Sequence, residues 1–182
     1  GVKSVITRLR ELGLDDELED LPSLLLGAIE ITPFEVASLY QVIANDGFKV
    51  PLRAIRSVVN VGNKILTGYP PQVEQVIESS LAYLVQYLLT GVVTEGTGRA
   101  ASIALADKLP LAGKIGTSND GRDSWFAGFG GHNLSVVWIG RGDNGETGLT
   151  GANGALQLWI DLMQQVGITK FQFARPEQLS WE

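Results

Sequence analysis

Two stretches of the first fifty residues carry apolar side chains at every third or fourth position. From Val2 to Leu12 this spacing predicts an amphipathic helix that ends at Gly13. A second helix is predicted to begin after Thr32, which can cap its first turn. Proline follows at the first helical position, and Glu35 completes a capping box. The sequence Asn45-Asp46-Gly47 predicts the end of this helix.

The middle of the chain changes from a strand-like pattern to a helical one. Leu52–Val61 is rich in β-branched residues, and the turn signal Gly62-Asn63 separates it from Lys64-Ile65-Leu66. This arrangement predicts a small β-hairpin. Apolar residues then recur at helical spacing from Val73 to Val93, which predicts a long helix that the Gly96-Thr97-Gly98 turn ends.

Three short apolar runs in the last third predict strands. They cover Leu111–Ser118, Ser124–Gly130 and Leu134–Gly140, with Asn/Asp/Gly-rich turns between them, so the simplest topology is an antiparallel meander. A terminal helix is predicted to cover this sheet with one apolar face, made of Ala152, Ala155, Leu156, Trp159, Ile160 and Met163.

The predicted fold class is therefore α+β: a helical region, an antiparallel sheet meander and a C-terminal helix packed on the sheet. We expect residues 1–110 to be the mainly helical part of one domain. Residues 111–167 are expected to hold its sheet strands and terminal helix, and residues 168–182 an irregular tail.

Composition excludes several classes of function. The 182 residues carry 14 Lys+Arg against 20 Asp+Glu, a formal charge of -6, which disfavours nucleic acid as a partner. The sequence also has no cluster of basic residues that would bind an anionic membrane surface. There is no cysteine and one histidine, His132, so we expect no metal site, no cofactor and no Ser-His-Asp triad. A nucleophilic mechanism would need another base, and lysine is the usual substitute.

The segment Ala112–Ser118 is the candidate for chemistry. Lys114 lies inside a predicted strand, Gly116 follows two residues later, and the hydroxyls of Thr117 and Ser118 come next. A lysine beside a glycine gap can bind a carboxylate or activate a hydroxyl, and an exposed strand edge can bind an extended peptide. The alternative is an edge strand whose lysine discourages aggregation and whose glycine forms a bulge.

Five segments in order along the chain resemble one family. Lys114–Ser118 is similar to the K-T-G-T/S motif of β-lactamases and penicillin-binding proteins, and Asp123–Gly128 to the D-x-W-F-x-G strand that follows it. Pro22–Ala37 resembles the family's P-S-x-x-L-G-x-x-E-V-T-P-L-E-M-A stretch, Ala44–Gly47 its A-N-x-G ending and Gly96–Arg99 a recurrent turn. From about Leu9 to the terminal helix, the chain most resembles the transpeptidase domain of bifunctional class A penicillin-binding proteins of the 1b type.

This resemblance implies part of the penicillin-binding/serine β-lactamase-like fold and a D,D-transpeptidase activity on peptidoglycan stem peptides ending in D-Ala-D-Ala. β-Lactam antibiotics would be covalent inhibitors of the complete domain. By resemblance Lys114 is catalytic, and Ile115, Gly116, Thr117 and Ser118 bind substrate. The Thr117 N–H would join an oxyanion hole, where one donor contributes about 3 kcal/mol.

Two departures from the family pattern shape these expectations. No Ser-x-x-Lys and no Ser-x-Asn occurs, so the nucleophile is expected upstream, in a missing N-terminal half of the same protein. The absence of an initiator methionine before Gly1 also indicates a fragment, whose parent is expected to be anchored in the inner membrane with this domain in the periplasm. Ile115 replaces the K-T-G threonine, which removes a hydroxyl whose bond to a carboxylate contributes about 1.5–3 kcal/mol.

Other functions remain open from sequence. A D,D-carboxypeptidase or a serine β-lactamase shares the K-T-G motif, although the Pro22–Ala37 and Asp123–Gly128 segments favour a transpeptidase. From a different class, the chain could be a noncatalytic peptide-binding or scaffold module that uses an exposed strand edge.

Overall fold

A computed structural model describes residues 1–14, 17–172 and 175–176. Within these residues, five α-helices connect and cover the strands: α1 (Val2–Leu12), α2 (Pro33–Ala44), α3 (Ser79–Thr94), α4 (Arg99–Ala104) and α5 (Ala155–Val166). In the part of the chain so described, no helix is long and apolar enough to span a bilayer.

The two N-terminal helices follow the predicted boundaries. Helix α1 ends at Gly13, whose φ of 107° lies in the left-handed region that glycine adopts readily. At the start of α2, the Thr32 hydroxyl accepts a hydrogen bond from the Glu35 N–H, and the Glu35 carboxylate accepts one from the Thr32 N–H. The predicted capping box is therefore confirmed.

Two small antiparallel sheets lie between α2 and α3. Strands β2 (Ser57–Val59) and β3 (Ile65–Gly68) form the predicted hairpin. Strand β1 (Phe48–Lys49) pairs with β4 (Glu74–Gln75). This second pair corrects the prediction that a helix begins at Val73.

Helix α3 begins at Ser79 because the preceding backbone bonds elsewhere. The N–H groups of Val76 and Ile77 both donate to the Gly47 carbonyl, at 3.0 and 3.2 Å. These bonds extend the β1–β4 pairing, so the residues before Ser79 cannot bond along a helix. The apolar side chains of Val76 and Ile77 fit the helical period but belong to an extended segment.

The last three strands form the predicted meander. Strands β5 (Ala112–Thr117), β6 (Ser124–Gly130) and β7 (Asn133–Ile139) are antiparallel in the order β5-β6-β7. The register pairs Lys114 with Ala127 and Thr117 with Ser124. Strand β5 therefore lies at one edge of this sheet.

Helices cover both faces of this sheet. The buried cluster on one face joins the sheet to α4 and α5, and Phe126 meets Trp159 edge to face at 5.0 Å. On the other face Ala112 and Phe129 pack with Leu89 of α3 and with the partly buried Tyr40 of α2. The predicted helix on the sheet is confirmed, although α5 begins at Ala155 and leaves Ala152 outside it.

Two features of the C-terminal half depart from the sequence pattern. Helix α4 was not predicted; its Ala101 is fully buried in the cluster around α5. The segment after Gly167 contains no regular element in its described part, yet Ile168 and Phe171 are buried. The remainder of the predicted tail, residues 173–174 and 177–182, lies outside the described residues.

Candidate functional site

Strand β5 presents its side chains to two different faces of the sheet. Ala112 belongs to the cluster on the α3 face and Ile115 packs against the cluster on the α5 face. Because side chains alternate along a strand, Lys114 and Gly116 lie on the α3 face, and Thr117 lies with Ile115 on the α5 face. The five predicted site residues are thus contiguous in sequence but divided between two surfaces.

Lys114 is an exposed cation at the edge of the sheet. Its ammonium donates a hydrogen bond of 2.7 Å to the carbonyl oxygen of the next residue, Ile115. No carboxylate among the residues described here forms an ion pair with it. Its charge is therefore available to an anion that approaches the strand edge.

The hydrogen-bond pattern of β5 directs one backbone donor outward. The Ser118 N–H donates to the Asp123 carbonyl at 3.1 Å, and hydrogen-bonded pairs alternate with non-hydrogen-bonded pairs in an antiparallel ladder. The next pair, Thr117 with Ser124, is therefore of the second kind. Its Thr117 N–H points away from β6, toward an edge on which no described residue forms a strand.

The Ile115 side chain is half-buried and contacts the loop before α5. A Cβ atom placed on Gly151 would lie 2.2 Å from Ile115 Cγ2, and 2.7 Å from each of the carbonyl oxygens of Gly116 and Trp125. Gly151 therefore packs directly on β5 and β6, and only a residue without a side chain fits there. Isoleucine supplies packing at this position in place of a hydroxyl.

Both hydroxyls of the motif accept hydrogen bonds from backbone amides. The Gly151 N–H donates to Thr117 Oγ1 at 2.9 Å, and the Asp123 N–H donates to Ser118 Oγ at 2.8 Å. The first bond links β5 to the loop before α5, and the second closes the turn between β5 and β6. Thr117 is exposed and Ser118 is half-buried.

The neighbouring segment Asp123–Gly128 holds the sheet together. Asp123 accepts a 2.9 Å hydrogen bond from the Trp138 indole N–H, and the rings of Trp125 and Trp138 lie 6.0 Å apart on adjacent strands. The Phe126 ring lies over the paired glycines 113 and 128, since a Cβ on either would come within 2.6 Å of that ring. The residues of this segment are therefore explained by packing and hydrogen bonding within the sheet.

The glycine-rich loop between β7 and α5 returns to the end of β5. Arg141 donates two hydrogen bonds to Asp143, at 2.9 and 2.6 Å, and lowers the pKa of that carboxyl to about 2. Thr147 Oγ1 donates to the Gly121 carbonyl at 2.6 Å, which attaches the loop to the turn before β6. This attachment brings Gly151 beside Thr117.

Sequence reasoning missed Gly151 and Ser124. The Ser124 hydroxyl is fully buried, donates to the Thr150 carbonyl at 2.7 Å and accepts from the Ala155 N–H at 2.8 Å. Their partners lie 26 to 34 residues away, so no local pattern indicates them. The one available signal was Ser124's place inside the Asp123–Gly128 motif.

The five motif segments fall within a single family match. Residues 16–145 match the family described as the penicillin binding protein transpeptidase domain. The chain belongs to that family. The resemblance drawn from the motifs is therefore confirmed.

A relative named Penicillin-binding protein 1B, from Vibrio cholerae, is 40% identical over 190 residues, which cover 98% of this chain and 24% of that protein. The chain thus spans about a quarter of the length of this relative.

Solved structures show the same fold. Penicillin-Binding Protein 1A from Haemophilus influenzae superposes with a TM-score of 0.89 at 23% identity, covering 98% of this chain and 33% of that one. Penicillin-binding protein A from M. tuberculosis, solved as a penicillin G acyl-enzyme complex, superposes with a TM-score of 0.64 at 20% identity. It covers 89% of this chain and 42% of that one. The predicted α+β transpeptidase fold is confirmed by these likenesses.

Proposed function

We propose that this chain supplies the substrate-binding strand of a serine D,D-transpeptidase that crosslinks peptidoglycan stem peptides ending in D-Ala-D-Ala. The observation that carries the proposal is the edge of β5 on which none of the described residues forms a pairing strand. There Lys114, which forms no ion pair with any described residue, lies on the same short strand as an outward N–H and an exposed hydroxyl, both of Thr117. A carboxylate and a developing oxyanion are the groups that such donors stabilise.

In this proposal Lys114, on the α3 face, polarises the serine that the family places in its S-x-N motif. The nucleophile, a serine that another part of the parent protein contributes, attacks the carbonyl of the penultimate D-Ala. The peptide C–N bond breaks and the terminal D-Ala leaves with a proton. The amine of a second stem peptide then attacks the ester, which forms the crosslink and regenerates the serine. The Thr117 N–H stabilises the oxyanion in both steps, and β-lactams acylate the same serine.

The partner of this chain in the proposal is the rest of its parent protein. Helix α3 exposes Leu81, Leu84 and Leu88 at helical spacing on one face, and an apolar face of this kind is usually covered in a complete domain. The relative from V. cholerae has most of its length outside the matched region. We propose that this parent protein is anchored in the inner membrane and holds the domain in the periplasm.

Labelling of the full-length parent with a fluorescent penicillin tests the proposed activity. Mass spectrometry is expected to find the label on a serine outside the present 182 residues. Lys114→Ala is expected to reduce labelling by at least about 100-fold, because the charge at the strand edge is lost. Lys64→Ala, another exposed lysine, is the matched control and should label normally. Full labelling of Lys114→Ala would exclude the role proposed for this residue.

The substitution Ile115→Thr tests the proposed contribution of this position to substrate binding. In the complete domain we expect threonine to raise the acylation rate by about 10-fold or more, because it adds a hydroxyl beside Thr117. The substitution also removes the contact between Ile115 and Gly151, which should lower the stability of the domain. The free energy of unfolding of the variant is therefore measured alongside its acylation rate. Equal acylation rates for the two proteins would contradict the hydroxyl argument.

A noncatalytic peptide-binding module is the second candidate. It is supported by the same edge of β5, which no strand in the described part of the chain pairs with and which can accept an extended peptide as an additional strand. No penicillin label in either the wild-type or the Ile115→Thr parent would favour this function. Crosslinked products separate a transpeptidase from a carboxypeptidase, which only releases D-Ala, and from a β-lactamase, which turns over the antibiotic.

A further inference from the structure

Gly151 connects the candidate strand to the start of α5 through both of its backbone groups. Its N–H donates to Thr117 Oγ1 at 2.9 Å, and its carbonyl accepts from the Leu156 N–H in the first turn of α5 at 2.9 Å. Leu156 and Trp159 are fully buried on this helix. The position of the Gly151 amide is therefore set by a helix that the core holds in place.

The bond from Gly151 determines what the Thr117 hydroxyl can do. A hydroxyl carries one proton and can accept through its oxygen lone pairs. Since the oxygen of Thr117 already accepts from Gly151, its proton is directed elsewhere. Within the described part of the chain the hydroxyl has no acceptor, and Thr117 is exposed. The Thr117 hydroxyl is thus free to donate a hydrogen bond to a ligand at this exposed position.

The contact has no room to shift toward the sheet. Gly151 is buried, and a Cβ there would overlap Ile115 Cγ2 and the carbonyl oxygens of Gly116 and Trp125. Next to it, Ser124 binds both the Thr150 carbonyl and the Ala155 N–H. The loop is therefore fastened to β5 at Thr117 and to β6 at Ser124, on either side of Gly151.

We propose that Gly151 is a positioning residue that orients the Thr117 hydroxyl as a hydrogen-bond donor to the carboxylate of the bound ligand. The proposal rests on the proposed function, because it assigns a geometric cause to carboxylate recognition at that site. Gly151 acts through Thr117 and does not itself touch the ligand. Its replacement is expected to impair the recognition of carboxylate more than the acylation chemistry.

The test compares two ligands on the full-length parent protein. Acylation rate constants are measured with benzylpenicillin and with its methyl ester, which keeps the reactive ring but not the negative charge. In wild type the ratio of the two rates is the carboxylate selectivity. We expect Gly151→Ala and Thr117→Val each to lower this selectivity by about 10- to 100-fold, as loss of a hydrogen bond to a charged group would. The double variant should lose little more than either single one.

Gly142→Ala is the matched control, since a Cβ at Gly142 meets no atom of the described residues within 4 Å and its φ is not positive. It should leave the selectivity unchanged. Equal losses with acid and ester in Gly151→Ala would overturn the positioning role while leaving the proposed function intact. Absence of acylation by either ligand in wild type would instead overturn the proposed function.

A second measurement applies if Gly151→Ala fails to fold. Thr117→Ser keeps the hydroxyl and Thr117→Val removes it at nearly constant volume, so neither overfills the loop. We expect the Gly151 amide to exchange with solvent at the wild-type rate in the serine variant and about 10-fold faster in the valine variant, because one hydrogen bond of about 1 kcal/mol is lost. The carboxylate selectivity should be retained in Thr117→Ser and lowered in Thr117→Val. An unchanged exchange rate in Thr117→Val would show that the Gly151 amide is not bound by the Thr117 hydroxyl, and this would overturn the positioning role.

Discussion

The β5-β6-β7 sheet and the β2–β3 hairpin have similar sequence patterns but opposite environments. Both consist of short apolar strands separated by Gly- and Asn-containing turns. The sheet buries Phe126 and Phe129 on its two faces. All seven strand residues of the hairpin are exposed, including the large side chains of Val58, Val59, Ile65 and Leu66.

This difference shows what a strand pattern does and does not specify. Short apolar runs bounded by Gly- and Asn-containing turns formed strands in both regions, so the pattern selects the local conformation. Burial came only where helices cover the sheet, on one face α4 and α5 and on the other α2 and α3. A two-stranded hairpin has too few contacts to be stable alone. Substitutions at matched positions should therefore have large effects in the sheet and small ones in the hairpin.

The largest expected difference concerns aromatic and aliphatic side chains. Phe126→Ala should destabilise the complete domain by about 3–5 kcal/mol, because it leaves a cavity beside Trp159 in the core. Leu66→Ala in the hairpin should change stability by less than about 0.5 kcal/mol, since Leu66 is exposed. Urea unfolding of the two variants measures both values. Similar losses would mean that the hairpin is packed in the complete protein.

Glycines give the next comparison. Gly113→Ala should cost about 1–3 kcal/mol, because its Cβ would lie 2.6 Å from the Phe126 ring and 3.0 Å from the Ala127 carbonyl oxygen. Gly68→Ala, at the end of β3, meets no atom closer than 4.0 Å and should be neutral or slightly stabilising. The shift in thermal midpoint of each variant tests this, and a neutral Gly113→Ala would show that the Phe126 ring can move aside.

A smaller effect is expected from the hydroxyl that joins the sheet to α5. Ser124→Ala should cost about 1–2 kcal/mol, because it removes the partner of the Ala155 N–H at the start of α5 and of the Thr150 carbonyl. Thr67→Ala in β3 is the matched hairpin change and should be nearly neutral. Chemical denaturation of the complete domain gives both values, and a Ser124→Ala protein as stable as wild type would contradict the proposed attachment.

The smallest expected effect depends on pH. Burial raises the pKa of Tyr40, which packs against the cluster that contains Phe129, to about 12. The unfolded chain therefore releases this proton near pH 10, before the folded protein does, so stability falls as pH rises from 10 to 12. Tyr40→Phe should remove about 1 kcal/mol of that loss at pH 11. Tyr69→Phe, at an exposed position after β3, is the control, and identical pH profiles for wild type and Tyr40→Phe would refute the role of burial.

Much of the fold and the motif strand could be read from sequence, because the signals involved are local. The Thr32–Glu35 capping box, the Gly62-Asn63 turn and the three strands of the meander each depend on residues only a few positions apart. The five motif segments needed only their order along the chain to indicate the family. The sequence also predicted that Lys114 and Thr117 belong to one strand and one candidate site, since they are only three residues apart.

Tertiary structure alone decided the features that depend on distant partners. Pairing of β4 with β1 moved the start of α3 to Ser79, although the apolar period continues before it. The division of the motif between two sheet faces required the burial of each face. Gly151 contacts Thr117 across 34 residues because the loop and α5 fold back onto β5. Glycine is required at position 151 because a Cβ atom there would overlap Ile115. Local sequence selects backbone conformation, whereas the identity of a contact depends on which elements pack together.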